Sequence, residues 1–467
     1  MDGSRAGGGP RGARAGGATG AAEAPWRGRR LHLVGVGGAG LSAYARAAHA
    51  LGAEVTGSDA SETVYARALA QDGVLEPSIG HGADNVPAGD DVELIYSSAV
   101  PEDNVERRAA RERGLRERPR AELLAELTAL RSTIAVAGTH GKTTTASMLV
   151  AALRGAGLDP GWLVGGSVEP GQPNARWGPG EWLVVEADES DRSMLCLQTE
   201  IAVLTNVEHD HHATFASLAA LREAFAAFLA NASDAIVVWD RPELLALARD
   251  AKASVAAYDL AAVDLAAGGS TFSWRDVVVR LQVPGAHNAL NAVAALEAAR
   301  LAGADPGAAA GALAGFRGAA RRFERLGESA RGALIYDDYA HHPTEVAATL
   351  AGARTLGPTR LVAVFQPHLF SRTAMLAREF GRALAAADVA VVVDVYAARE
   401  RAADHPGVSG LLVAEAAADA AAGRPVYWLP ALDDAERVLG GLLGAGDVCV
   451  VMGAGDVEEL GHRLVSR

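Results

Sequence analysis

Short apolar runs, rich in Val, Ile, Leu and Ala, recur along the chain, and each one stops at a cluster of glycine or polar residues. The first set covers 31–35, 54–58 and 92–96, with a helical pattern at 39–51. A second set covers 132–136, 182–186, 201–205 and 235–239, with helices predicted at 146–153 and 217–230. It closes with 277–283, a strand of a flanking sheet, before a helix at 288–301. A third set covers 333–337, 361–365, 389–394 and 448–452. Runs that are apolar at nearly every position belong to strands buried on both faces. Their alternation with helices therefore predicts an α/β protein with parallel sheets. Three consecutive domains are expected, at 28–130, 131–318 and 319–467: the first and last Rossmann-like, the middle one P-loop ATPase-like. Residues 1–27 are read as a disordered tail, because Gly, Ala and Arg leave little to bury there. The charged run 107–120 is read as a solvated helix face and linker.

Composition narrows this picture. At 467 residues the chain exceeds one ordinary core, and 49% hydrophobic with 21% charged residues describes a globular protein. No apolar run approaches the roughly 18–20 residues that span a bilayer, so neither a membrane segment nor a signal core is predicted, and a cytoplasmic location is expected. The net charge is −14. A body that acidic repels polyanions, which argues against nucleic acid as a partner. Cys196 and Cys449 suit buried free thiols in a reducing compartment. Lys142 and Lys252 are the only lysines among 43 basic residues, so a lysine inside a glycine loop points to chemistry.

That lysine lies in Gly138-Thr139-His140-Gly141-Lys142-Thr143-Thr144, between a predicted strand and a predicted helix. Glycines turn backbone N–H groups inward, the helix N-terminus favours anions, Lys142 reaches outer phosphates, and the Thr143 hydroxyl is placed to ligate magnesium. Val136 replaces the first glycine of the full Walker pattern, so the loop is a shortened one. A second glycine loop, Gly35-Val36-Gly37-Gly38-Ala39-Gly40, is followed by Asp59 at the end of the next strand. Residue chemistry leaves NAD, a nucleotide-sugar and a purely structural turn open there, since both ligands offer a pyrophosphate to a helix N-terminus. Glu186-Ala187-Asp188-Glu189-Ser190-Asp191 ends a strand beside the phosphate loop, where uncompensated repulsion implies a divalent cation. Asn206-Val207-Glu208-His209-Asp210-His211-His212 ends the next strand and suits a second magnesium better than zinc, for want of cysteine ligands. His287, Asn288 and Asn291 open a helix, and their position favours capping over adenine recognition. Arg321-Arg322-Phe323 forms a cationic hinge, either phosphate-reaching or salt-bridged. The stretches 337–345 and 366–373 both end strands and face a shared cleft if the third domain closes over the second.

Taken in order, these segments resemble the Mur ligase family, from Gly35–Ser42 through Gly138–Thr145, Glu186–Asp191, His287–Ala292, Arg321–Phe323 and Asp337–Glu345 to Phe365–His368. The resemblance implies UDP-sugar binding, not NAD, at the first loop, and an ATP- and Mg2+-dependent ligation. UDP-N-acetylmuramate is activated as an acyl phosphate, and the amine of L-alanine captures it. It implies Gly138, Thr139, His140, Gly141, Lys142, Thr143 and Thr144 around the triphosphate, with Thr143, Glu186 and His211 as metal ligands and Lys142, Glu186 and His211 as the catalytic set. His287, Asn288, Asn291, Arg322 and Asp338 resemble the rest of the ATP site. Gly37, Gly38, Gly40, Asp59, His81, Ser97, His341 and Arg372 resemble contacts to the sugar nucleotide and the amino acid. A monomer or homodimer is expected. Two departures stand out: His212-Ala213 where relatives often have Met-Asp, and Leu369 where many have arginine.

Overall fold

The computed structural model describes residues 24–465 apart from 213 and 267. Arg30–Val34 is the centre of a five-stranded parallel sheet, flanked by Glu54–Asp59 and Ser78–Ile79 on one side and by Val92–Tyr96 and Arg116–Pro119 on the other. Strand order reverses at Arg30–Val34, and a crevice opens there at the strand C-termini. Ligands of open α/β sheets bind at such points. The first glycine loop and Ser97 both lie at this crevice.

Ser132–Ala137 occupies the middle of a seven-stranded sheet, between Thr199–Leu204 and Trp182–Glu186. The phosphate loop, the acidic loop and the 206–212 loop therefore all leave the same edge. A three-stranded antiparallel sheet, Val263–Ala266, Gly269–Trp274 and Val277–Leu281, flanks it as expected. The sheet of the third domain has six strands. Leu334–Asp338, Asp447–Met452 and Arg360–Phe365 are adjacent and parallel, which brings Asp338, Gly453 and Gln366 to one edge.

Two buried apolar clusters cover the central sheet. One runs without a break into the first domain, joining Leu33, Tyr44, Leu123 and Leu127 to Met194, Phe215 and Phe225. The other packs the helices Lys142–Gly155 and Ala286–Leu301 and the flanking sheet onto the opposite face. The third domain is covered by two clusters of its own, from Phe323 onward. Among the described residues, no buried apolar cluster joins it to the other two.

Three expectations fail here. The tail reading extends too far, since Trp26 is buried in the first cluster with the Arg29 guanidinium 4.5 Å from its ring; residues 1–23 lie outside the described residues. The run 107–120 is a solvated face and linker only in part, with residues 108, 111–114 and 116 exposed. It supplies the end of the helix Val105–Glu112, the strand Arg116–Pro119 and the start of the helix Arg120–Ala129, and Arg107 and Arg118 are buried. Arg107 sits 3.7 Å over the Tyr96 ring, and Arg118 pairs with Glu93, Glu122 and Glu126. Cys449 is a buried free thiol as expected, but Cys196 is exposed.

Candidate active site

Gly141 caps the helix Lys142–Gly155 at φ 79°, a left-handed conformation that glycine adopts without strain. A Cβ there would also collide with the Asn291 amide at 2.7 Å, which places Asn291 directly against the phosphate loop. Lys142 Nζ donates to the carbonyls of Gly138 (2.6 Å) and Thr139 (3.1 Å) and to Glu189 Oε1 (2.9 Å). Burial pulls the Lys142 ammonium toward neutrality, but Glu189 and Glu186 outweigh it and keep its pKa raised. The Thr143 hydroxyl donates to Glu186 at 3.0 Å, and the Gly165 N–H donates to the same carboxylate at 2.8 Å. His211, at φ 53°, brings Nε2 to 3.2 Å from Glu189 Oε1.

Glu189 is fully buried, and its second oxygen has no hydrogen-bond partner. An orphaned buried carboxylate oxygen beside the Thr143–Glu186 pair is the chemistry a hard divalent cation satisfies, so these residues fit magnesium. The acidic loop is not left to a cation alone, however. Arg120, from the first domain, bonds Asp191 at 2.6 Å and Asp188 at 2.8 Å. Burial pushes Asp188 up, yet Arg120 overrides it and holds the carboxyl at about 2.

The same Arg120 lies against Gly40, where a side chain would strike its guanidinium. Asn174 of the central domain donates to the Ala39 carbonyl (2.8 Å) and to Ser42 (2.9 Å). Tyr65 donates to the Gly165 carbonyl at 3.2 Å. The first glycine loop and the phosphate loop are thus tied to one cleft. Within the former, the Gly37 N–H donates to Asp59 at 2.9 Å, and the Gly37 carbonyl accepts from Thr63 at 2.8 Å. Gly38 caps the following helix, and Ser97 packs against Gly35.

The third domain completes the cleft. Arg322 reaches Thr143 Oγ1 at 3.4 Å, and Arg321 is salt-bridged to Asp337 and Glu458, the second of the two roles weighed for this hinge. Asp338 accepts from the N–H groups of Phe323 and Ala340, and burial lifts its carboxyl to about 7 despite Arg322. Arg372 and Asp210 pair at 2.8 Å across the domain seam, both buried. Burial favours the neutral Asp210, but the Arg372 guanidinium outweighs it and holds the carboxyl well below its usual range. Burial drives His341 down to about 4; as a neutral imidazole it donates Nδ1–H to the Tyr339 carbonyl at 3.0 Å. Leu369 is buried at φ 71°, and His212 Nε2 is buried without a partner; Ala213 lies outside the described residues.

The capping role expected of Asn288 and Asn291 is not found. Gly285 occupies the N-cap with no side-chain cap bond, and Asn288 donates back to the Pro284 carbonyl at 2.8 Å. Both amides are buried, Asn291 against the phosphate loop, while His287 is exposed. Thr144 and Thr139 are buried in the loop itself, and His140 bridges Glu208 (2.9 Å) and Glu345 (3.2 Å).

His81 belongs to a network that sequence reasoning missed. Fully buried Glu106 lies within 3.0 Å of His32, Ser58, His81 and Asn85. Burial alone would raise Glu106, but these partners hold it at about 2. A carboxyl depressed on folding stabilises above its ordinary value near 4.5, and that stability is lost as the pH falls toward 2. The loss is of the order of 3 kcal/mol. Between pH 5 and pH 2, the wild-type protein is therefore expected to lose about that much more stability than Glu106→Gln. Denaturant melts followed by tryptophan fluorescence measure it, and parallel pH curves for the two proteins would refute the assignment.

Family models match three successive parts of the chain: "Mur ligase family, catalytic domain" over 30–132, "Mur ligase middle domain" over 136–299 and "Mur ligase, glutamate ligase domain" over 321–455. The chain is 43% identical to a UDP-N-acetylmuramate–L-alanine ligase of Rubrobacter xylanophilus, over 94% of its own length and 100% of the relative's. The counterpart from Mycolicibacterium smegmatis is also 43% identical, over 94% and 95% of the two chains. Among solved structures, UDP-N-acetylmuramate-alanine ligase from Thermotoga maritima superposes with a TM-score of 0.80 at 28% identity, covering 94% of this chain and 98% of that one. A murein peptide ligase from Psychrobacter arcticus superposes at 0.69 with 26% identity and the same coverage.

Proposed function

The chain belongs to the Mur ligase family, and from that premise we propose how its three domains share one reaction. It is an ATP-dependent ligase that joins L-alanine to UDP-N-acetylmuramate in peptidoglycan synthesis. The observation that carries this reading is the tie between the two glycine loops through Arg120, Asn174 and Tyr65, which gives a sugar nucleotide and a triphosphate a common cleft. No helix among the described residues is long and apolar enough to cross a membrane. A cytoplasmic site of action, where ATP is supplied, fits the substrates.

In this reading the triphosphate lies on 138–144, with the Lys142 ammonium held cationic by Glu189 for the outer phosphates. Asn288, Asn291 and His287 line the base end, and Asp338 and Arg322 close on the nucleotide from the third domain. Magnesium, one ion held by Thr143 and Glu186 and a second by His211, would neutralise charge on the phosphoryl group in transfer. Gly37, Gly38, Gly40 and Asp59 hold the UDP end of the sugar nucleotide, with Ser97 at the crevice and His81 fixed by Glu106. Transfer of the γ-phosphoryl group makes the lactyl carboxylate an acyl phosphate. The L-alanine amine then attacks the carbonyl carbon and phosphate leaves. His341 and Arg372 orient the two reacting partners, and Arg372 does so while committed to Asp210.

The test is phosphate release from ATP with UDP-N-acetylmuramate and each amino acid in turn. L-alanine is expected to give the largest kcat/KM. The murein peptide ligase likeness supplies the competing outcome: turnover with a preformed tripeptide and none with L-alanine would overturn the assignment.

A further inference from the structure

Beside the reacting centre, a second group of metal-type ligands joins the phosphate loop to the third domain. His140 Nε2 lies 2.9 Å from Glu208 Oε2, and His342 Nδ1 lies 3.9 Å from that same oxygen. One ligand atom from each of these three residues falls within 4.8 Å of the others. A tetrahedral zinc-type ion with bonds of about 2.0–2.1 Å spaces its donors about 3.3 Å apart, between the two separations found here.

The outer partners point the same way. The opposite nitrogen of His140, Nδ1, sits 3.2 Å from Glu345 Oε1. The Thr344 hydroxyl donates to Glu208 at 2.7 and 2.9 Å. Ligating imidazoles are held by a carboxylate on their other nitrogen, and ligating carboxylates by hydrogen-bond donors. Two imidazoles with one carboxylate select a borderline-soft ion, whereas magnesium prefers oxygen and keeps its water. None of the three residues belongs to the magnesium set Thr143, Glu186 and His211.

We propose that His140, Glu208 and His342 form a site for a divalent transition-metal ion of the zinc class, one that clasps the phosphate loop to the third domain and slows turnover. The ion takes the place of the proton between His140 and Glu208, which is released to solvent, and a water fills the fourth position. The site stands on its own geometry and does not depend on which amino acid is ligated.

The test uses the full chain without nucleotide, in excess magnesium, titrated with zinc against a chromophoric chelator and with cobalt(II) as a visible stand-in. One zinc per chain is expected, with tetrahedral cobalt bands. Both His342→Asn and Glu208→Gln are expected to weaken zinc at least ~10-fold and to lose the bands. Asparagine is chosen because it still caps the helix Pro343–Arg354, where His342 Nδ1 accepts the Thr344 N–H at 3.4 Å, a long bond that the ion would displace. Zinc inhibition of ligation should be reversed by chelator and weakened by the same factor in His342→Asn. Displacement of zinc by magnesium, or wild-type zinc affinity in the variants, would overturn the proposal. If His342→Asn does not fold, Glu208→Gln decides alone.

Discussion

Lys142→Ala is expected to release phosphate at least ~10³-fold more slowly than wild type, with UDP-N-acetylmuramate binding retained. The ammonium is held charged between two loop carbonyls and Glu189, so it is preorganised for the charge of the transferred phosphoryl group. Losing one such group from a water-poor site costs about 3–4 kcal/mol of transition-state stabilisation, and a thousandfold is about 4 kcal/mol. The deletion also leaves the buried Glu189 carboxylate without its ammonium partner, with the His211 imidazole at 3.2 Å, which makes a fold control necessary. Sugar-nucleotide binding, measured by calorimetry, reports on the first domain and provides that control. Phosphate release within tenfold of wild type would mean that Lys142 is merely structural.

The second large effect is expected at the domain seam. Arg372→Ala strands a buried, ionised Asp210, and breaking a buried pair costs about 3–5 kcal/mol. Here the loss has an outlet other than unfolding. If the third domain swings away, Asp210 regains water. kcat/KM is therefore expected to fall by ~10² to 10³ while the melting temperature changes by only a few degrees. Arg372→Lys should recover part of the loss, because it restores the charge without the fork. A large drop in melting temperature with near-normal turnover would show that the pair serves the fold alone.

Much of this cleft could be read from the chain, because each strand announces itself by apolar residues and each site loop follows a strand end. Lys142, Glu186, His211, Asp338 and Arg372 fall at such ends, and folding brings them to adjoining sheet edges. The Glu106 network and Arg120 could not be read in this way. Both sit in a stretch where charged residues crowd together, and local polarity suggests water. The partners that make their burial tolerable, His32 at one end and Asp188 and Asp191 at the other, come from distant parts of the chain. Periodicity records what a residue's neighbours are along the chain and carries no information about a counter-charge supplied by another domain. The Asn288 error has a similar cause. An amide near a helix start suggests a cap, but Gly285 takes that place three residues earlier, and the Asn288 amide turns back to the Pro284 carbonyl. A glutamate or aspartate flanked by several arginines late in a domain is the signal that could have revealed Arg120.

The first two domains share one apolar core, and the third meets them through carboxylates, guanidiniums and imidazoles. Parting a greasy seam would expose sticky surface at every catalytic cycle. Parting this one wets groups that water solvates readily, so opening the seam would expose little apolar surface for a neighbour to adhere to. Added salt should loosen that seam only modestly, because the ion pairs that close it are shielded from the solvent that would screen them.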